Sequence, residues 1–262
     1  MSNSELILVD VDADGIAVVT VNRPKALNAL NADVLAELRE AVIELALEED
    51  VRALVIAGAG DKAFIAGADI AALSNMTPSE AREMSHDGQD CFGVMEACPK
   101  PVIAAIQGFA VGGGVELALA CHLRVAAEGS KMGLPEVTLG LIPGFGGTQR
   151  LSRIAGPGVA REWILTGDLF DAAEAHRVGV VNRVVSAEEL LPSAVALAKT
   201  IASRGPVAVR SALEVIRMGL EVGQSAGESM EADAFGLIFA TEDMREGTKA
   251  FLDKRKADFQ GL

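Results

Sequence analysis

Two glutamates of this chain lie in apolar, glycine-rich segments, where an unpaired charge is costly. Glu116 follows the run Gly112-Gly113-Gly114, and apolar residues surround it on every side of a helical wheel, which predicts a buried helix. Glu136 follows Pro135, shortly before a second glycine-rich segment. A buried carboxylate must find a partner, raise its pKa or take part in chemistry. Two carboxyl groups that face one cleft could handle both protons of an acid–base reaction.

Each of these features also has an explanation that needs no chemistry. Glu116 could be a buried carboxylate held by a basic side chain, since structural ion pairs also shift pKa values. Glu136 could simply favour the first turn of a helix. The three glycines could form a tight turn between a strand and a helix. From the residues alone these alternatives stay open.

Two loops of small residues could supply hydrogen-bond donors to the same cleft. The glycine run precedes a predicted helix, whose first N–H groups have no partner within the helix. The loop Phe-Ile-Ala-Gly-Ala-Asp-Ile at 64–70 ends at a predicted helix start, for which Asp69 is the favoured N-cap. Peptide N–H groups near Ala66 and Ala68 are further candidate donors. Such groups could stabilise a developing oxyanion.

Other motifs argue against redox, metal and serine-nucleophile chemistry. Gly58, Gly60 and Ala63 have the G-x-G-x-x-A spacing of dinucleotide-binding loops, but a glycine-containing loop follows them instead of a helix. The three histidines are too far apart to show the spacing of metal ligands. A Gly-x-Ser-x-Gly nucleophile elbow is absent from the sequence. We therefore expect neither a metal site nor a bound dinucleotide.

The composition narrows the class of protein. With 262 residues, 50% of them apolar, the chain can bury a substantial core. Its 23 basic and 37 acidic residues give a net charge of −14, which disfavours binding to nucleic acid or to an anionic membrane. Three cysteines in apolar contexts fit a reducing compartment. The first residues have no targeting pattern, and no apolar run approaches the roughly 20 residues of a membrane span. We expect a soluble cytoplasmic protein.

The apolar pattern predicts alternating strands and helices, which favours an α/β fold with parallel strands. Predicted strands lie at 6–11, 16–21, 51–57, 102–106, 123–126 and 179–185. An Asp-Gly turn joins the first two strands, and Asn31 is the predicted N-cap of a helix that runs to about residue 48. Later helices are predicted at 190–203, 207–220, 226–240 and 245–256. We divide the chain into a core at 1–197 and a helical region at 198–262.

Motifs along nearly the whole chain, taken together, resemble the enoyl-CoA hydratase/isomerase family, also called the crotonase family. They lie, in chain order, at 22–30, 62–64, 66–69, 100–105, 112–116, 135–136, 142–144, 146–150, 246–247 and 250–255. The resemblance implies a crotonase-like spiral of repeated ββα units with a C-terminal helical trimerisation region. It also implies a homotrimer or a dimer of trimers. The implied substrate is an acyl-CoA thioester, so that coenzyme A is part of the substrate and no separate cofactor is needed.

The resemblance also assigns roles to single residues. The backbone N–H groups of Ala68 and Gly113 would form an oxyanion hole for the thioester oxygen. Glu116 would act chiefly on a water molecule, and Glu136 chiefly on the proton at C2. Substrate- and CoA-binding positions would be Ala26, Leu27, Lys62, Ala66, Gly67, Asp69, Ile70 and Gly112. The chain departs from the family at Ala71, where a basic residue often helps to bind CoA phosphate.

Glutamates at both positions favour reversible hydration of a 2-trans-enoyl-CoA to a 3-hydroxyacyl-CoA, as in fatty-acid β-oxidation. Isomerases of the family commonly retain only the second glutamate. The alternatives are isomerisation of a 3-enoyl-CoA to a 2-enoyl-CoA and hydration of a specialised branched acyl-CoA. A different class, a non-catalytic RNA-binding protein on the same scaffold, is disfavoured by the acidic charge. The preferred acyl length depends on how residues 74–97 fold over the site.

Overall fold

A computed structural model of the protein describes residues 6–69 and 73–262, which form ten strands and nine helices. The strands are β1 (Ile7–Val11), β2 (Ile16–Val21), β3 (Ala53–Gly58), β4 (Ala63–Ile65), β5 (Val102–Ile106), β6 (Phe109–Val111), β7 (Leu123–Ala127), β8 (Lys131–Gly133), β9 (Phe170–Asp171) and β10 (Arg183–Val185). The helices are α1 (Ala32–Leu47), α2 (Pro78–Glu96), α3 (Gly113–Ala120), α4 (Gly147–Thr166), α5 (Ala172–Arg177), α6 (Leu190–Ala202), α7 (Pro206–Gly219), α8 (Gln224–Ile238) and α9 (Glu242–Leu252).

The larger sheet has six strands in the order β1-β2-β3-β5-β7-β10. Only the β1–β2 hairpin is antiparallel, and its turn places Gly15 at a φ of 76°, where glycine meets no steric penalty. The remaining pairs are parallel. Every residue of β3 and β5 is buried, as expected for parallel strands covered on both faces. These apolar runs explain why the sequence predicts the strands of this sheet well.

A smaller sheet, β4-β6-β8-β9, lies beside the first and reveals the repeat of the fold. Each unit places one strand in the larger sheet, the next strand in the smaller sheet, and then forms a helix. The three units are β3-β4-α2, β5-β6-α3 and β7-β8-α4. The predicted α/β spiral of ββα units is therefore confirmed. Repetition of the unit brings the ends of β4, β6 and β8 together, and the candidate site lies where these ends meet the helices.

Agreement between predicted and observed elements is close where the apolar pattern is strong. The Asn31 side chain accepts the Val34 N–H at 3.0 Å, so the predicted N-cap is present. The segment predicted as a strand at 179–185 forms only the three residues of β10, because Gly179 has a φ of 83° and residues 179–182 form a loop. The strands of the smaller sheet have two or three residues each, which is too short for a periodic signal.

The C-terminal helices differ in how they pack. Helix α6 covers the larger sheet, with Leu190, Ala194 and Leu197 in one cluster with Ile103 and Val125. The proposed boundary between residues 197 and 198 falls inside this helix and stays a prediction. Beyond α6, helices α7, α8 and α9 expose large apolar side chains: Ile216, Leu220, Phe235, Leu237, Phe251 and Leu252. Among the described residues, no helix combines the length and the apolar character needed to cross a bilayer.

Candidate active site

A cavity of about 1010 Å³ opens between α2, α3 and the segment from Pro135 to Arg150. Both glutamates line it, and so do both small-residue loops, at Ala68 and Gly113. These residues come from three successive ββα units, so they meet only through the fold. A cavity of this size is at the upper end of the range for small-molecule sites.

Glu116 lies in the first turn and a half of α3 and is only 1% exposed. Its Oε1 accepts the N–H of Phe145 at 2.8 Å and the N–H of Gly147 at 2.7 Å. Burial raises the pKa of Glu116 to about 7, and the charge of Glu136 also raises this pKa. Within the described part of the chain Glu116 forms no ion pair, so the alternative of a carboxylate held by a basic side chain is not observed. Its carboxyl group is therefore poised to exchange a proton near neutral pH.

Glu136 lies on a 3₁₀ turn, Pro135–Leu139, and lines the cavity beside Gly112. Burial raises the pKa of Glu136. Its Oε2 is buried without a hydrogen-bond partner among the described residues. A buried polar atom in that position is costly unless a ligand or a water molecule meets it. Because burial raises its pKa, the Glu136 side chain is suited to donate a proton.

Gly112 allows the Glu136 carboxyl group to approach the backbone. It has a φ of 54° and a ψ of −121°, a conformation that other residues rarely adopt. A Cβ atom at this position would lie 2.9 Å from Glu136 Oε1. The glycine run is therefore more than a tight turn, since its first residue makes room for a carboxyl group of the site.

Two backbone donors remain free near the carboxyl groups. The N–H groups of Ala68 and Gly113 have no hydrogen-bond partner among the described residues. Leu30 bonds to the peptides on both sides of Ala68, donating to Gly67 O at 2.8 Å and accepting from Asp69 N at 2.9 Å. Gly113 is the first residue of α3, where N–H groups lack intrahelical acceptors. The Ala66 N–H, a further candidate in the sequence, is already donated to Leu27 O at 3.0 Å.

Comparison with known proteins identifies the family. The family described as "Enoyl-CoA hydratase/isomerase" matches residues 12–261. The chain belongs to this family. It is 52% identical over 244 residues to a crotonyl-CoA hydratase of Syntrophomonas wolfei, covering 93% of this chain and 94% of the relative. It is 44% identical to a short-chain-enoyl-CoA hydratase of Clostridium acetobutylicum, with 97% and 98% of the two chains covered.

Solved structures agree with this assignment. An enoyl-CoA hydratase from Bacillus anthracis superposes with a TM-score of 0.95 at 40% identity, covering 98% of this chain and 100% of that one. The DspI protein of Pseudomonas aeruginosa superposes with a TM-score of 0.95 at 36% identity, covering 99% and 98% of the chains. The crotonase-like fold expected from the sequence is therefore confirmed at the level of the whole chain.

The remaining residues assigned from the resemblance fall into two groups. Ala66, Gly67 and Gly112 line the cavity. The other described positions are not among the residues that line it: Ala26, Leu27, Lys62 and Asp69. The Asp69 carboxylate lies 3.6 Å from the guanidinium of Arg23, which also donates to Ala29 O. Ile70 and Ala71 lie outside the described residues, and so does the helix start for which Asp69 is the predicted N-cap. The assignments of these residues to substrate or CoA binding stay predictions.

Four residues in or beside the site carry no assignment in the sequence analysis. The Phe145 ring lies between α2 and α3: a Cβ at Gly88 would be 2.3 Å from it, and the Cβ position of Gly113 is 3.4 Å from it. Phe92 packs edge-on against this ring, with centroids 5.7 Å apart. Arg150 contacts the same loop from α4. Arg150 belongs to a motif that carries the family resemblance, whereas Gly88 and Phe145 gave no signal because their partners are distant in sequence.

Proposed function

We propose that the protein is an enoyl-CoA hydratase that adds water reversibly to a short-chain 2-trans-enoyl-CoA. The observation that carries this proposal is the meeting of two carboxyl groups with raised pKa values and two free backbone donors in one cavity. An isolated double bond reacts poorly with water. Conjugation to a thioester lets negative charge flow to the carbonyl oxygen, so the reaction needs donors for that oxygen and groups that move two protons.

The N–H groups of Ala68 and Gly113 bind the thioester oxygen in this proposal. As water adds, this oxygen acquires enolate character, and preorganised donors stabilise it where the charge develops. The position of Gly113 at the N-terminus of α3 adds the positive end of the helix dipole. Both donors are backbone groups, so their direction is fixed by the fold rather than by a side-chain rotamer.

The two glutamates divide the proton transfers. The Glu116 carboxylate accepts a proton from water while the water oxygen forms a bond to C3. The Glu136 carboxyl group then donates its proton to C2, the thioester carbonyl re-forms, and the product is a 3-hydroxyacyl thioester. Glu116 takes up one proton and Glu136 releases one, so the two glutamates together carry the same number of protons before and after the addition. The same steps in reverse dehydrate the product. Because the two groups interact, their titration belongs to the pair.

The short acyl chain is supported by the position of Phe145. Its ring fills the space between Gly88 and Gly113, directly beside the donor for the thioester oxygen. Helix α2, which carries Gly88, lies within residues 74–97, the segment expected from the sequence to set the depth of the pocket. The names of the two relatives, a crotonyl-CoA hydratase and a short-chain-enoyl-CoA hydratase, agree with a short pocket. We assign the Phe145 ring as the wall against which the acyl chain ends.

The proposal also covers the oligomeric state and the location of the protein and its lack of need for a cofactor. Proton transfer and oxyanion binding are supplied by this chain's own groups, so the reaction as written requires no metal and no redox cofactor. The exposed apolar side chains of α7, α8 and α9 support assembly into a homotrimer or a dimer of trimers. Three unpaired cysteines and the acidic composition support a cytoplasmic location and no role in nucleic-acid or membrane binding.

The deciding experiment follows the absorbance of crotonyl-CoA with the purified protein, before and after treatment with a chelator. We expect hydration that survives chelation. Glu116→Gln and Glu136→Gln should each lower kcat by at least about 10²-fold, the usual scale for a lost acid–base group. Glu128→Gln is the matched control, because its side chain is exposed and lies outside the cavity.

Three results would replace this proposal by an alternative. A Glu116→Gln or Glu136→Gln variant that keeps nearly the full hydration rate, in a protein that isomerises a 3-enoyl-CoA well, would favour an isomerase. Loss of activity on chelation, restored by a metal, would contradict the metal-free reaction. Retention of RNA on a filter at moderate salt, without any hydration, would favour the non-catalytic alternative.

A further inference from the structure

The catalytic carboxyl group of Glu116 is held by a loop, not by its own helix. Its Oε1 receives the N–H groups of Phe145 and Gly147, at 2.8 and 2.7 Å. Gly146 stands between these two donors in a left-handed conformation with a φ of 103°. In this conformation both peptide N–H groups reach one oxygen, so the orientation of Glu116 depends on what fixes the loop 145–147.

Arg150 supplies that fixation. From the first turn of α4 its Nη1 donates to Phe145 O at 2.6 Å, and its Nη2 contacts Glu96 Oε2 at 2.8 Å. The guanidinium lies so close over the loop that a Cβ at Gly146 would be 2.2 Å from Nη1. Arg150 therefore joins the end of α2, through Glu96, to the loop that binds Glu116. The preceding carbonyl, Gly144 O, is fixed independently by Ser85 and Gln89.

The burial of Arg150 indicates that its contact with the Phe145 carbonyl is a fixed part of the structure and not a variable surface contact. Its side chain is 12% exposed, whereas that of its partner Glu96 is 41% exposed. Its Nε is buried without a hydrogen-bond partner among the described residues, so the pose of the guanidinium is set by the two Nη contacts. A buried donor left unpaired is costly. The cost of the unpaired Nε is incurred in a pose in which Nη1 donates to the Phe145 carbonyl.

The charge of Arg150 also acts on Glu116. Burial raises the pKa of Glu116 most, and the Glu136 charge raises it further; the hydrogen bonds from Gly147 and Phe145 lower it, and the Arg150 charge lowers it to a smaller extent. Glu136 comes from the 3₁₀ turn and Arg150 from α4, and these are the charged groups that act on Glu116. Since Glu116 must be ionised to accept a proton from water, a cation in this position favours the active form near neutral pH.

We propose that Arg150 is a positioning residue for the hydration: it holds the loop 145–147 in the conformation in which both peptide N–H groups reach Glu116. This inference rests on the proposed function and deepens it. Arg150 makes no bond in the reaction. Its effect passes through the Phe145 carbonyl to the two peptide donors and from them to the carboxyl group that activates water.

The test compares Arg150→Met, which removes the charge and the donors, with Arg150→Lys, which keeps the charge and one donor. Arg161→Met is the matched control, because Arg161 is exposed in α4 beyond the kink at Gly156 and does not line the cavity. We expect Arg150→Met to lower kcat about 10- to 100-fold with little change of KM, the scale for a misplaced catalytic group. The acidic limb of its kcat/KM profile should move to higher pH. Arg150→Lys should keep the limb near its wild-type position and recover part of kcat.

A second readout does not depend on turnover. Loss of the cation raises the pKa of Glu116 further, so urea unfolding of Arg150→Met should show a larger loss of stability between pH 5 and pH 8 than the wild type shows. If Arg150→Met does not fold, Arg150→Lys must still lower kcat while leaving the acidic limb in place. An inactive wild-type protein would reject the proposed function, while the unfolding comparison would still test the coupling of Arg150 to Glu116.

Two outcomes would overturn the inference. One is an Arg150→Met protein with wild-type kcat, an unmoved acidic limb and an unchanged pH dependence of unfolding. The other is a loss of kcat that Lys does not relieve and that leaves both pH readouts unmoved, which would make Arg150 a merely structural residue.

Discussion

Glu116→Gln should make the protein more stable at alkaline pH while it lowers kcat at least about 10²-fold. Burial raises the pKa of Glu116 from 4.5 to about 7, and this difference corresponds to about 3 kcal/mol of unfavourable ionisation in the folded state. Because the folded-state pKa is the higher one, the unfolded chain releases the proton first as pH rises. The penalty is therefore absent below the unfolded pKa of 4.5 and is fully present above about 7.

Glutamine removes the ionisation but keeps the shape and the acceptor of the side chain. Its Oε1 can still receive the N–H groups of Phe145 and Gly147, so no buried donor is left unpaired. We expect the free energy of unfolding of the variant, relative to wild type, to increase by about 2–3 kcal/mol between pH 5 and pH 8. The gain should appear as a rise in the midpoint of urea unfolding at equal slope.

The assay is urea unfolding of both proteins at pH 5 and pH 8, at one fixed protein concentration, because assembly would add a concentration-dependent term. Glu128→Gln, an exposed carboxylate, is the control and should show no comparable pH-dependent gain. A Glu116→Gln protein with the same advantage or disadvantage at both pH values would refute the reasoning. In that case Glu116 would be ionised in the folded protein at no cost, and its role as a base tuned by burial would have to be abandoned.

Three further predictions concern activity and assembly. The kcat/KM of the wild type should fall as pH drops through about 7, since Glu116 must be ionised to accept the proton of water and burial raises its pKa to about 7. A stopped-flow or absorbance assay measures this dependence. An undiminished rate at pH 5.5 would exclude Glu116 as the base. Phe145→Ala should raise kcat/KM for an eight-carbon 2-enoyl-CoA, relative to kcat/KM for a four-carbon one, at least about tenfold, since each accommodated methylene contributes about 1 kcal/mol. Phe109→Ala, which removes an exposed ring, is the control. An unchanged ratio in Phe145→Ala would place the end of the pocket elsewhere. Light scattering at micromolar concentration should report a trimer or a hexamer, and a stable monomer would leave the exposed apolar side chains of α7–α9 without the proposed explanation.

The elements of the larger sheet could be predicted because each carries its own signal. Strands β3 and β5 are continuous apolar runs, and α1 begins at a side-chain cap that Asn31 provides as expected. The smaller sheet could not be predicted this way. Its strands owe their existence to pairing with chain segments about 20 to 45 residues away, as in Phe109↔Lys131 and Ala63↔Phe109, not to local composition.

The candidate site was predictable to the extent that its residues are chemically conspicuous. Carboxyl groups in apolar segments and glycines before a helix stand out in a sequence, and the structure brings Glu116, Glu136, Ala68 and Gly113 to one cavity. The supporting contacts are different in kind. The Phe145 ring against Gly88, and Arg150 against the Phe145 carbonyl, are determined by distances between elements. Such distances are set by packing and leave no periodic or compositional trace.

Helix α3, which carries both Gly113 and Glu116, has only eight residues. Isolated helices shorter than about 12 to 15 residues are marginal in water, so α3 exists because its surroundings are complete. Its C-terminal carbonyls, Ala118 O and Cys121 O, are bonded by the buried guanidinium of Arg124, which is also held by Val180 O. The last turn of α3 is thus completed by Arg124, which is itself held by a carbonyl 56 residues further along the chain.

The surroundings of the catalytic helix are consequently complete only when distant segments of the chain have met. Residues near 180 pair with β7 and hold Arg124, whose guanidinium bonds the end of α3, and such non-local contacts form slowly. No partly folded intermediate that lacks this docking should bind the thioester or hydrate it. Activity and the fluorescence of Trp163, which is buried and stacked on Phe170, should therefore be lost in one cooperative transition as urea is raised.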